Sequence, residues 1–165
     1  MVGKVSLKPR TPRRGKPRSE KPRNEKPYRV GRSRTGLGLF ATADIARGAF
    51  IIAYLGRRIS HAQAERLEAR GSRYIFEING RWSLDGSSRR NIARYANHSC
   101  RPNAESDVVA GNMILRAIKA IKPGDEITYD YGEEYFALFI APVGCKCVKC
   151  LEKPRKARRT ARAQR

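Results

Sequence analysis

No apolar run of about eighteen residues occurs in the 165-residue chain, so the sequence offers no helix that spans a membrane. The N-terminus is charged with no hydrophobic segment behind it, and no secretory leader is expected. No internal repeat stands out. Cysteine is sparse, at four residues, and without a leader the expected setting is a reducing compartment. There, clustered cysteines hold metal more often than they form disulfides. Acidic residues are few: 15 Asp and Glu face 36 Lys and Arg, for a formal net charge of +21.

That excess is uneven. Residues 1–29 hold eleven Lys and Arg against two Glu, with prolines throughout and almost no apolar side chains. Such a segment cannot bury enough surface to offset the entropy of ordering it, so a disordered basic arm is expected. Residues 152–165 hold seven basic residues against one Glu and read as a basic tail. Basic arms bind polyanions by releasing counterions, without reading sequence, which makes nucleic acid the expected partner of both ends. A solubilising role is the plainer alternative. The remaining 120 or so residues are enough for one independently folding domain.

Within that core, "FIIAYL" (50–55) predicts a buried strand. "SHAQAERLEARG" (60–71) predicts a helix capped by Ser60, with Gln63 at the capping-box position and Gly71 after its end. "YIFEI" (74–78) and "RWSL" (81–84) flank a hairpin turn at Asn79-Gly80, and a second hairpin is expected to turn at Gly111-Asn112. "NIARYA" (91–96) suits one or two helical turns, and "PGDEITYDY" (123–131) a turn followed by a strand. The sum is an α+β domain, mostly β.

Cys145, Cys147 and Cys150 lie within six residues, a spacing that suits mutual disulfides poorly. Three close thiolates can instead wrap a tetrahedral zinc whose fourth ligand comes from elsewhere, and Cys100 is the only other cysteine. Four separate reduced thiols are the alternative. Lys146 and Lys149 would help neutralise the charge of a four-thiolate site, which would pin the C-terminal segment beside "NHSC".

In this order, "GLGLFA" (36–41), "NHSCRPN" (97–103), "GDEITYDYG" (124–132) and "CKCVKC" (145–150) resemble SET-domain protein-lysine methyltransferases with a cysteine-bearing post-SET segment. The resemblance covers roughly residues 30–150. It implies a SET-domain fold of small curled sheets with a knot-like threading of a C-terminal strand. It divides the core into a SET domain (30–136) and a post-SET zinc segment (137–151). It also implies S-adenosylmethionine as methyl donor and a lysine side-chain amine as acceptor.

Matched residue by residue, Gly36, Leu37, Gly38, Arg94, Asn97 and His98 would contact the cofactor. Tyr131 takes the place of the family's catalytic tyrosine, and Tyr129 that of the residue governing how many methyls are added. Tyr54 and Tyr74 would line the lysine channel. Either Phe136 or Phe139 would cover the adenine. Tyr28, Tyr95 and Tyr135 are expected to pack in the core, Asp85 and Asp130 to serve as structural hydrogen-bonders, and His61 to face solvent. The family usually has an acidic residue where Ala53 stands and a glycine where Arg90 stands, which bears on groove charge and on the turn before Asn91. Tyr129, where some relatives carry Phe, implies mono- or dimethylation.

The chemistry suits these residue types. A free lysine has a pKa near 10.4, so presenting a neutral amine at pH 7 costs about 4–5 kcal/mol. A dry aromatic channel disfavours the ammonium, and a neighbouring positive sulfonium acts in the same direction. No carboxylate stands out as a dedicated base. The expected protein substrate is a histone or another basic chromatin or nucleoid protein. Because a +21 chain repels a free basic tail, such a substrate is expected to be met while bound to nucleic acid. Location follows the cell: chromatin in a eukaryotic nucleus, or cytoplasm and nucleoid in a bacterium. The competing reading is a non-catalytic, zinc-stabilised nucleic-acid binder that uses its tails. Oligomeric state is not set by the sequence.

Overall fold

Glycine and proline interrupt the apolar runs so often that, among the described residues, no strand exceeds six residues. The structure, a computed structural model, describes residues 26–152. Most of the basic arm and nearly all of the basic tail lie outside the described residues.

Strands β1 (Tyr28–Ser33) and β2 (Gly36–Ala41) form a hairpin. Strands β3 (Phe50–Ala53) and β4 (Arg57–Ser60) lead into helix α1 (His61–Ala69). A second hairpin joins β5 (Ile75–Asn79) to β6 (Trp82–Asp85). A 3₁₀ turn, Ile92–Tyr95, precedes the two-residue strand β7 (Asn97–His98). Then come the hairpin of β8 (Ala104–Val109) and β9 (Asn112–Ala117), and strand β10 (Glu126–Tyr129). Helix α2 (Glu133–Tyr135) continues through a π turn, Phe136–Ile140, and a 3₁₀ turn, Ala141–Val143; helix α3 (Val148–Leu151) follows.

Three small sheets result, ordered β1-β2-β10-β7, β3-β9-β8 and β4-β6-β5. This is the mostly β, α+β architecture expected. Strand β10 lies between β2, to which it is antiparallel, and β7, to which it is parallel. The late strand is thus inserted among earlier ones, as the threading expectation requires. Leu39, Met113, Leu115 and Ile127 are fully shielded where the sheets meet. Each such burial contributes about 1.5–3 kcal/mol relative to exposure. Among the described residues no helix is long and apolar enough to cross a membrane.

Local readings hold with small shifts. Ser60 caps α1 in a full capping box with Gln63, and Gly71 follows the helix at φ +87°. The first predicted turn moves by one residue, because Asn79 Oδ1 accepts the N–H groups of Arg81 and Trp82 (3.0 and 3.1 Å). Asn79 therefore stays in β5, and Gly80-Arg81 form the loop. The other turn centres on Ala110-Gly111, both at positive φ (50° and 74°), as a two-residue hairpin that follows strand twist demands. Strand β1 begins at Tyr28, inside the segment read as arm, and Tyr28 packs against the core.

Candidate active site

A two-residue strand makes few ladder bonds, so side chains supply the rest of the pairing of β7 with β10. The parallel register sets Asn97 beside Thr128 and His98 beside Tyr129. Asn97 Nδ2 donates to the Leu37 carbonyl (3.0 Å) and to Glu126 Oε1 (2.7 Å). Asn103 brackets β10, donating to the Glu126 carbonyl and accepting from the Thr128 N–H, each at 2.8 Å. The buried Asn91 accepts from the Leu55 N–H (3.0 Å) and donates to the Gly86 carbonyl (3.2 Å). Asn91, Asn103 and Glu126 were not singled out from sequence. Their only signal was a polar residue type next to the motifs, and burial is what makes that type informative.

A cavity of about 280 Å³ has Tyr54, Tyr74, Tyr129 and Tyr131 in its wall, so the four expected tyrosines come together. Tyr135 joins them, packing edge-on against Tyr131 with centroids 4.9 Å apart. The Tyr54 hydroxyl donates to the Tyr74 carbonyl (3.0 Å), and the Tyr131 hydroxyl to the Ala96 carbonyl (2.7 Å). Burial raises the pKa of Tyr54, Tyr129 and Tyr131 well above the usual phenol value. All three remain neutral donors at neutral pH. Gly86 makes room for Tyr54: a Cβ there would stand 2.1 Å from the ring.

A second cavity, of about 550 Å³, has Leu37, Asn97, His98 and Phe139 in its lining. Its size falls within the roughly 300–1,000 Å³ of small-molecule sites. Tyr74, Arg94, Tyr131 and Tyr135 border both cavities. Arg94 lays its guanidinium over the Tyr74 ring, 3.7 Å from the centroid, and donates to the Ser87 carbonyl. Phe136 instead packs on His98, with centroids 5.3 Å apart. Gly36 and Gly38 lie off this lining. Gly36 adopts φ +117°, and a Cβ on Gly38 would stand 2.5 Å from Glu126 Oε1, so protein groups rather than a ligand account for the second glycine.

The four cysteines converge. Their sulfurs all lie within 4.8 Å of one another, with Cys100 Sγ 3.8 Å from Cys145 Sγ and 3.6 Å from Cys150 Sγ. Tetrahedral zinc with Zn–S bonds of about 2.3 Å separates its sulfurs by about 3.8 Å, so the set fits. The Cys100 N–H points at Cys147 Sγ (3.5 Å), and Lys149 Nζ donates to the Cys100 carbonyl (3.2 Å). Burial pushes the Cys100 thiol up and that of Cys145 to about 11. Burial also acts on Cys147, but N–H groups of Cys100 and Cys150 and the nearby thiols bring it down to about 7. Asp130 and Asp85 accept backbone N–H groups of Gly132 and Ser87 (3.1 Å each), and His61 is exposed beside Glu65, all as expected.

A sequence profile described as the SET domain matches residues 36–132, more than half of the chain. The chain belongs to the SET-domain family. It is 39% identical over 108 residues to histone-lysine N-methyltransferase Set2 of Drosophila melanogaster, covering 59% of this chain and 5% of that protein. Against histone-lysine N-methyltransferase set-2 of Caenorhabditis elegans, identity is 38%, covering 61% and 7%. Among solved structures, polycomb repressive complex 2 of Chaetomium thermophilum matches with a TM-score of 0.62 and 32% identity, covering 69% of this chain and 16% of that one. A form of ctPRC2 in an autoinhibited conformation bound to S-adenosylmethionine matches with a TM-score of 0.59 and 33% identity, covering 65% and 15%. This chain therefore spans a small part of the length of each relative.

Proposed function

We propose that this chain is a protein-lysine N-methyltransferase that uses S-adenosylmethionine and acts on a histone or a similarly basic, nucleic-acid-associated protein. One observation carries the reading: the tyrosine-lined cavity and the larger cavity adjoin across a shared wall of Arg73, Tyr74, Arg94, Tyr131 and Tyr135, with Tyr131 bordering both.

In this reading Leu37, Asn97, His98 and Phe139 border the cofactor, with Phe139 over the adenine, while Tyr54, Tyr74 and Tyr129 surround the lysine. Bound in the larger cavity, S-adenosylmethionine supplies a methyl group activated by a sulfonium. The chain's own work is to desolvate the amine, which favours loss of its proton to water, and to hold the lone pair in line. Tyr131, neutral and already hydrogen-bonded to Ala96, acts as an electrostatic orienter and not as a base. Cys100, Cys145, Cys147 and Cys150 would hold zinc, fastening the post-SET segment as one wall of the larger cavity. Tyr129 limits the room for methyls, favouring mono- and dimethyl products. The basic ends tether the enzyme to nucleic acid near its substrate.

The test is transfer of labelled methyl from S-adenosylmethionine to histone proteins by the full, zinc-loaded chain. Transfer is expected, and calorimetry is expected to show cofactor binding. A folded, zinc-replete chain that binds no S-adenosylmethionine would refute the proposal in favour of a nucleic-acid binder.

A further inference from the structure

The imidazole of His98 touches both halves of the site, one nitrogen to each. Nδ1 lies 3.3 Å from the backbone nitrogen of Tyr131. A backbone N–H can only donate, so Nδ1 accepts and carries no proton. The ring proton is then on Nε2, which lies 3.3 Å from Cys100 Sγ. Asp130 does not compete effectively for Nδ1: its Oδ1 is 3.6 Å away and accepts the Gly132 N–H at 3.1 Å. The ring is packed between Tyr131 and Phe136, at centroid distances of 5.5 and 5.3 Å, and its side chain is only 6% exposed. It has no room to turn over without breaking both contacts.

Which nitrogen of a histidine carries the proton is set by what the other nitrogen contacts, and a metal-bound thiolate is an acceptor that selects Nε2–H. We propose that His98 is a positioning residue that couples metal occupancy of the cysteine cluster to the placement of Tyr131. Metal-bound Cys100 fixes the proton on Nε2, and Nδ1 is thereby kept as the acceptor that holds the Tyr131 backbone. Release of the metal frees Cys100 Sγ to leave Nε2, and the tautomer loses one of the two contacts that fix it, leaving only the Tyr131 N–H. The importance of this bridge for catalysis rests on the role given above to Tyr131; the bridge itself does not.

Two substitutions separate the nitrogens. His98→Asn places an amide oxygen near Nδ1 and leaves nothing at Nε2; His98→Gln places an amide N–H near Nε2 and leaves nothing at Nδ1. With the full chain loaded with Co²⁺, His98→Asn is expected to move the thiolate-to-cobalt charge-transfer band to lower energy. It is also expected to release metal to a competing chelator about tenfold more readily. His98→Gln is expected to keep the wild-type band while lowering kcat about tenfold with KM for a lysine peptide unchanged. An unmoved band in His98→Asn, or equal band changes in both variants, overturns the proposal. So does a kcat in His98→Gln equal to that of wild type. Nitrogen-15 spectra of the zinc-loaded wild-type chain need no variant: the Nε2–H tautomer supports the bridge, and Nδ1–H overturns it. A wild type without methyl transfer would sink the proposed function, yet the band and the tautomer would still decide the bridge.

Discussion

The phenolic oxygen of Tyr131 stands 2.7 Å from the carbonyl oxygen of Ala96, and the hydroxyl donates to it. That bond spans 35 residues and ties the loop after β10 to the residue just before β7. Removing the hydroxyl leaves the ring packed against Tyr129 and Tyr135 (centroids 4.8 and 4.9 Å) and leaves one carbonyl without its donor. Tyr131→Phe is expected to stay folded, losing about 1–3 kcal/mol, while methyl transfer falls about a hundredfold or more. Thermal unfolding and a labelled-methyl assay check the two halves, and unchanged transfer would remove Tyr131 from the mechanism.

Tyr129 is walled in between Tyr131 and the apolar cluster that includes Ile127 and Ala104. It lines the smaller cavity, where the proposed function puts the lysine. Tyr129→Phe is expected to shift products toward higher methylation. Mass spectrometry of a methylated peptide reads this, and an unchanged product distribution would assign the limit to another residue.

Gly86 has a steric role that its loop position conceals. A Cβ there would meet Tyr54 at 2.1 Å, closer than any real contact. The ring cannot yield without breaking its bond to the Tyr74 carbonyl. Gly86→Ala is expected to cost about 1–3 kcal/mol and to raise KM for a lysine peptide. Wild-type Tm together with wild-type KM would show that the ring has room to move.

The sulfur cluster predicts one zinc per chain by elemental analysis of protein purified without chelator. Stripping the metal, or Cys145→Ser, is expected to lower Tm and to loosen residues 144–151 while leaving the sheets folded. Hydrogen exchange localised to that segment checks this. A metal-free chain with unchanged exchange would reduce the cluster to four thiols.

Alkaline pH probes the buried phenols. Tyr54, Tyr129 and Tyr131 have folded pKa values above the ordinary 10.0, with burial as the main cause. For a group that binds its proton more tightly when folded, stability is complete below the unfolded pKa and falls as pH rises beyond it. Stability is therefore expected to fall above pH 10.0, with tyrosinate absorbance for these residues appearing together with unfolding. Full tyrosine ionisation before any loss of folded signal would contradict the burial.

How much the residues told in advance depended on distance along the chain. Helix α1 was legible because Ser60 and Gln63 form its cap within four residues, and the hairpins were legible to within one residue from their glycines. The four cysteines were legible from their spacing, whereas the four tyrosines were picked out only through the resemblance to the SET family, since nothing local sets Tyr54 or Tyr74 apart from a core tyrosine. Glu126 was not legible. It matters because Asn97 donates to it and Gly38 lies against it, contacts that exist only once β10 has entered beside β2 and β7. Tyr135, read as core packing, borders both cavities because the helical run after Gly132 folds back over Tyr131. No local pattern encodes that return. Strand β1 was missed because its apolar positions are too few to show alternation.

The insertion of β10 has a consequence for biogenesis. A nascent chain emerging from the ribosome exposes β2 and β7 long before the segment that bridges them, and each meanwhile presents unsatisfied amides to any passing strand. Acquisition of the native state must wait for that distant pairing, which makes maturation slow and holdase chaperones useful.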